Sequence, residues 1–219
     1  MTERPILFSG SMVRAILDGT KSQTRRVVKP QTPFRSVPPS SLGNGRWLFE
    51  EPNLNGIHTE RMSVACPYGQ PGDRLWVREK WSADPPIDDS WASTEWNGCG
   101  RKVREIPERF HHPRFCNYAA DWLHEPIRWT PSIHMPRWAS RILLEIESVR
   151  VERLNAISAD DARDEGIDQN CDGGCAPKCN ACNEQDVDTF RRLWESINGP
   201  GSWAANPWVW CVSFRRIAQ

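Results

Sequence analysis

The stretch SRILLEIESVRVERL, residues 140–154, alternates apolar and polar side chains and decides how the chain reads. Ile142, Leu144 and Ile146 fall on one face, and Val149 and Val151 resume after a break, which predicts a strand pair with a β-bulge near Ser148. Outward from it, ISADDARDEGI (157–167) carries a helix signature: Ser158 as N-cap, Asp161 completing a box of capping type, acidic residues in the first turn and Gly166 as the stop. DVDTFRRLWESING (186–199) predicts a second helix with Val187, Phe190, Leu193, Trp194 and Ile197 on one side. NPWVWCVSFRRI (206–217) then predicts a strand with Trp208, Trp210, Val212 and Phe214 on one face.

Towards the N-terminus, YGQPGDRLWVREKW (68–81) gives a turn at Pro71 and Gly72, then a strand through Leu75 and Val77. SMVRAILD (11–18) places Met12, Val13, Ile16 and Leu17 at helical spacing, with Ser9 or Ser11 as N-cap and Gly19 as the stop. Residues 31–66, rich in Pro, Ser, Gly and Asn, read as loop with one short strand near GRWLFE. Residues 84–132 are turn-rich and aromatic, which suits an insertion better than a second core. Few strands, short helices and no βαβ alternation predict an α+β fold, a compact mixed β-barrel. We expect a single domain over 1–219 with insertions at about 84–132 and 168–188.

Lys plus Arg equals Asp plus Glu at 28 each, so no global positive field drives sequence-independent wrapping of nucleic acid. An RNA or DNA partner would be held locally, and residues 1–36 offer seven basic side chains (Arg4, Arg14, Lys21, Arg25, Arg26, Lys29, Arg35) against two acidic ones (Glu3, Asp18). The chain shows neither a leader-like basic and apolar start nor a run of eighteen apolar residues, so a cytoplasmic protein with no membrane partner is expected.

Four of the eight cysteines, Cys171, Cys175, Cys179 and Cys182, crowd into CDGGCAPKCNAC. Thiolates so close suit a tetrahedral structural zinc that pins a loop, since metal outcompetes disulfide in a reducing compartment. A three-cysteine site completed by His111, His112 or Cys116 is the alternative. Four protein ligands leave no open position, so such a zinc would give order rather than catalysis. Twelve tryptophans against two tyrosines serve core packing or the stacking of planar ligands, with Trp76 and Trp208 as candidate stackers.

The chemistry concentrates in DGTKSQTRR, residues 18–26. One reading is a basic turn leading into a strand, where a cation after a helix end favours the dipole. The other is a threonine nucleophile, Thr24, with Lys21 to remove its proton and arginines, Arg26 among them, to hold an anionic or polar substrate. Lys21 serves as a base only if burial or neighbouring charge lowers its pKa, and Arg25 and Arg26 act in that direction. In PSIHMPRWASR (131–141), His134 and Arg137 could hold a phosphate or a base edge, or the arginines could pair with nearby carboxylates.

The order of these segments resembles the ASCH superfamily, whose fold is a small β-barrel related to the PUA domain. GTKSQTRR, PGDRLWV and ISADDARDEG are similar to three segments of bacterial 4-acetylcytidine amidohydrolases. The wider layout, including HMPRWASR and NGPGSWAANPWVW, is more similar to larger ASCH-like proteins of tailed phages and prophages. The resemblance implies a hydrolase of a C–N amide bond on an N-acylated cytidine or related modified pyrimidine nucleoside or nucleobase. It places the catalytic lysine, threonine and glutamate on Lys21, Thr24 and Glu165. The alternative it implies is a non-catalytic PUA-like module that binds RNA or modified DNA.

Overall fold

A computed structural model describes residues 1–31, 38–52, 59–84, 106–124, 127–167 and 180–218; at 51–52 and 59–60 it describes the backbone alone. Ten strands and three α-helices occur among these residues: β1 (Glu3–Leu7), α1 (Gly10–Leu17), β2 (Gln23–Val27), β3 (Ser40–Ser41), β4 (Arg46–Pro52), β5 (Thr59–Ala65), β6 (Arg74–Arg78), β7 (Trp81–Ala83), β8 (Cys116–Tyr118), β9 (Leu143–Arg153), α2 (Ala159–Asp164), α3 (Asn180–Asn198) and β10 (Trp208–Ile217). The main sheet has the order β1-β6-β9-β10-β2, with β1 parallel to β6 and its other pairs antiparallel. β3-β4-β5 and β7-β8 form two smaller sheets.

The α+β class therefore holds, while the expected closed barrel does not occur among the described residues. β1 and β2 are the two edges of the main sheet, and α1 joins them in sequence instead of a backbone ladder joining them in space. Their ends approach through a side chain, since the Arg26 guanidinium donates to the Leu7 carbonyl at 2.6 Å. The expected strand pair over 140–154 is one long strand, β9, with one extra residue. Ser213 faces Ser148 and Phe214 faces Ile146, so Glu147 is the unpaired residue of a bulge. β9 runs the length of β10 and gives the sheet its centre.

Alternation explains the core. Leu144, Ile146, Trp210, Val212 and Phe214 bury one face of the β9–β10 pair beneath α1, whose Val13 and Ile16 point inward. Each such side chain contributes roughly 1.5–3 kcal/mol by leaving water. On the other face, Val209 and Cys211 pack with Leu154, Ile157, Phe190 and Trp194 of the α2–α3 side. β10 is thus buried on both faces, as a central strand should be.

Two further expectations change. The segment 31–66, read as loop with one strand, contributes β3, β4 and β5, with Phe49 buried edge-on against Trp208 at 5.9 Å between ring centroids. α3 begins at Asn180, inside the expected 168–188 insertion, because the Ala-Cys-Asn-Glu-Gln run that follows extends the helix before its apolar stripe starts. Within the other insertion, Ile106, Phe110 and Tyr118 form a small separate cluster with Trp81, Met135 and Ala139. No helix among the described residues is long and apolar enough to cross a membrane.

Candidate active site

α1 ends as its sequence requires: Gly19 takes a left-handed φ of +77°, and the Thr20 and Lys21 amides donate back to the Ala15 carbonyl at 2.9 and 3.0 Å. This turn drops Lys21 onto the end of α2. There Ser158 caps the helix, the reciprocal bond with Asp161 completes the box, and Glu165 is the C-cap residue. Gly166 closes α2 at a φ of +84°, and a Cβ at that position would lie 2.9 Å from the Ala15 Cβ. Only a glycine lets α1, Lys21 and the α2 terminus meet so closely.

Lys21 and Glu165, 144 residues apart, thereby face each other in an isolated antiparallel bridge. Lys21 Nζ donates to Glu165 Oε2 at 2.7 Å and to the Glu165 carbonyl at 2.8 Å. Both side chains are shut away from water, at 0% and 4% exposure. Burial is the largest influence on the amine and pulls its pKa below the ordinary lysine value; Glu165 opposes that shift, and the charges of Arg26 and Arg25 add to it. Among the described residues, the second carboxylate oxygen, Oε1, accepts no hydrogen bond and has Arg25 Nη1 at 3.6 Å.

Behind the pair lies a polar network centred on Arg25, whose side chain is fully buried. Its guanidinium meets Glu152 at 2.6 Å, Gln23 at 2.8 Å and Asp161 at 3.1 Å. Asp161 in turn accepts from Gln23 at 2.9 Å and from Arg150. Although burial pushes the Asp161 carboxyl upward, its bonds from Gln23 and Ser158 and the charges of Arg25 and Arg150 hold it well below the usual carboxylate range. Asp161, which completes the capping box at the start of α2, is therefore also tied to β2, and this fixes where the helix delivers Glu165.

A pocket of about 480 Å³ opens beside these groups. Thr24, Arg25, Arg26 and Val27 of β2 form one wall, together with Glu165. Phe190, Leu193, Trp194 and Ile197 of α3 also line it, as do Met12, Tyr68 and Lys29. Burial raises the Tyr68 phenol above its ordinary pKa, while Arg26 is near enough to draw it back. Thr24 is buried to 2% exposure, and Lys21 Nζ directs its hydrogen bonds to Glu165, not to the Thr24 hydroxyl.

Of the residues singled out in the sequence, Thr24, Arg26 and Glu165 line this pocket and Lys21 stands directly behind it. Trp76, Trp208, His134 and Arg137 are elsewhere. Trp76 is buried on β6 beneath Arg78, 5.0 Å from its ring, and Trp208 packs in the main core beside Phe49 and Arg153. His134 is exposed on a single 3₁₀ turn, and Arg137 is paired with Glu3 at 2.8 Å. Cys171, Cys175 and Cys179 lie outside the described residues, whereas Cys182 sits in the first turn of α3. Among the described residues no group of three or more His, Cys, Asp and Glu side chains is placed to hold a metal. The Pro-Gly-Asp turn proves to be a clip: Asp73 accepts from the Thr2 and Gln70 amides and from Arg4, at 2.8, 3.3 and 3.0 Å.

Tyr68 and the α3 wall have no counterpart in the sequence reading. Phe190, Leu193, Trp194 and Ile197 are visible there as an apolar stripe, and a stripe alone does not say that part of it faces a cavity. For Arg25 a signal exists: Gln23 and Arg25 occupy alternate, inward positions of a strand, a pattern a core accepts only when buried partners await it. No protein-family model matches the chain, and neither a curated protein nor a solved structure matches it.

Proposed function

We propose that the chain is an ASCH-type hydrolase on a PUA-like fold, acting on the exocyclic amide of an N-acylated cytidine or a related modified pyrimidine. The observation that carries this reading is the buried amine of Lys21, 2.7 Å from Glu165, behind a pocket that Glu165 and Thr24 line. Buried lysines are costly, and an amine depressed by its surroundings next to a cleft has the properties of a general base. In this reading Lys21, once its own proton has left, takes the Thr24 proton as Thr24 Oγ1 attacks the acyl carbon. The proton passes through Lys21 to the departing exocyclic nitrogen as the tetrahedral intermediate collapses. Glu165 holds the amine in place, and water then releases the acyl group from Thr24. The apolar face of α3 suits a flat ring.

The cysteine run would add a structural zinc. Cys182, at the start of α3, would couple that metal to the helix that walls the pocket. About one equivalent of zinc, and loss of α3 order on chelation, are expected; a metal-free protein of full stability removes zinc from the scheme.

The decisive assay is release of cytidine from 4-acetylcytidine, with a panel of N-acylated pyrimidine nucleosides alongside. Lys21→Ala, Thr24→Ala and Glu165→Gln should each reduce turnover by about 10²-fold or more, the typical worth of a positioned acid–base group. Turnover that survives all three refutes the mechanism. Absence of turnover with base binding retained leaves the binding module.

A further inference from the structure

The pocket is out of balance with the chain that forms it. Across 219 residues the basic and acidic side chains are equal in number, yet the pocket is lined by Arg25, Arg26 and Lys29 against one carboxylate, Glu165. Two of those four are neutralised within the fold. Arg25 lies between Glu152 and Asp161, and Glu165 is held by Lys21. Arg26 and Lys29 remain, and among the described residues no carboxylate comes within 4.0 Å of either, the distance at which Arg137, Arg141, Arg163 and Arg215 all find one.

The condition of Arg26 is more specific than a missing partner. One guanidinium nitrogen donates to the Leu7 carbonyl, the group lies 5.3 Å from the Phe8 ring centroid, and its Nε, like those of Arg25, Arg74 and Arg163, is buried with no acceptor. A buried donor without an acceptor costs free energy, and a guanidinium fork so left matches a planar or tetrahedral oxyanion. Lys29, which is exposed, lies three residues further along at a bend just past the end of β2 and lines the same pocket. α3 lines the same pocket, and its Ile197 is 54% exposed. A ligand complementary to both walls has a flat, largely apolar body and an anion attached to one end.

We propose that Arg26 and Lys29 form an anion subsite at the mouth of the pocket that takes the phosphate of a nucleotide. Resting on the hydrolase reading above, the favoured substrate is then a phosphorylated N-acylcytidine, as a free mononucleotide or as a residue of an RNA strand. A phosphate monoester brings a charge near −2, a strand phosphodiester a charge of about −1, and either offers several anionic acceptor oxygens where a ribose hydroxyl is uncharged.

The test reads binding rather than turnover. Cytidine and cytidine 5′-monophosphate are titrated calorimetrically into the full chain at low and moderate salt, then into Arg26→Gln and Lys29→Gln. The wild type should bind the monophosphate at least tenfold more tightly than cytidine, with the ratio falling as salt rises. Either substitution should bring that ratio below threefold, and Lys29→Gln, at an exposed position, leaves no ambiguity from misfolding. Equal affinity for the two ligands, no binding of the monophosphate, or a preference that survives both substitutions overturns the proposal. A 5′-phosphorylated cytidine trinucleotide assigns the source: tighter binding than the monophosphate points to a strand, weaker binding to a free nucleotide. Monophosphate preference in a protein that hydrolyses neither an N-acylcytidine nor its 5′-monophosphate would reject the reaction and leave the subsite standing.

Discussion

Replacing Lys21 by Met, alone and together with Glu165→Leu, separates a pair kept for stability from a pair kept for chemistry. At 2.7 Å and an effective dielectric constant of 20, the two charges attract by about 6 kcal/mol. Against that stands the burial of both ions, several kcal/mol each, so the intact pair should come close to cancelling. Lys21→Met removes the amine and leaves the carboxylate, at 4% exposure, with Arg25 at 3.6 Å as its remaining cation. That partial compensation sets the expected loss near the lower end for a broken buried pair, about 3 kcal/mol. The double replacement removes both charges and roughly conserves volume. It forfeits one hydrogen bond to the Glu165 carbonyl, so it should lie within about 1.5 kcal/mol of the wild type. Urea unfolding followed by tryptophan fluorescence reads both: the single variant should lose on the order of 1 M in midpoint at an unchanged slope, and the double should recover most of it. A double variant no more stable than the single refutes the reasoning, since the pair would then be a net source of stability and its presence would need no chemical explanation.

Two other measurements probe the frame around the site. Burial acts to raise the Asp73 carboxyl, but the Thr2 amide, the Arg4 guanidinium and the Gln70 amide together hold it down at about 2, below its ordinary 3.8. Because the unfolded chain takes up that proton first, the stabilisation is complete above about pH 4 and is lost as the pH falls towards 2. Asp73→Asn should flatten this part of the thermal midpoint's pH profile, and an unaltered acid slope would refute the assignment. Gly166→Ala places a Cβ 2.9 Å from Ala15 and 3.1 Å from Lys21 at a φ of +84°, and should destabilise by about 2 kcal/mol or more while displacing Glu165. A wild-type melting temperature would show that α1 and α2 are not held together there.

Local signals were legible and long-range ones were not. The alternation of Ile142, Leu144 and Ile146 announces a strand, and Ser158, Asp161 and Gly166 announce α2, because caps and periodicity act over a few residues. The bulge was visible as a lapse in alternation, but sequence alone did not reveal that β9 continues unbroken through it. GRWLFE announces β4, whereas β3 and β5 were obscured because Pro, Gly and Asn in the connecting stretches hide strands whose order comes from pairing with β4. Whether the sheet closes depends on contacts between residues such as Leu7 and Arg26, which no window of sequence contains. At the site, the joining of Lys21 to Glu165 was suggested only by the order of three motifs. The partners of Arg25, Glu152 and Asp161, stand 127 and 136 positions away in strand and helix segments that look ordinary by themselves.

The strand order of the main sheet has a consequence for how the protein is made. β2 is complete by Val27, yet its neighbour in the sheet, β10, starts at Trp208. During synthesis the segment with Thr24, Arg25 and Arg26 must wait for about 180 residues before the partner that orders it exists, and closing so long a loop is a slow step. The charges that later crowd the pocket keep the waiting segment hydrated and hinder edge-to-edge association with other chains. The catalytic candidates thus come together late, and their assembly reports that the whole sheet has been built.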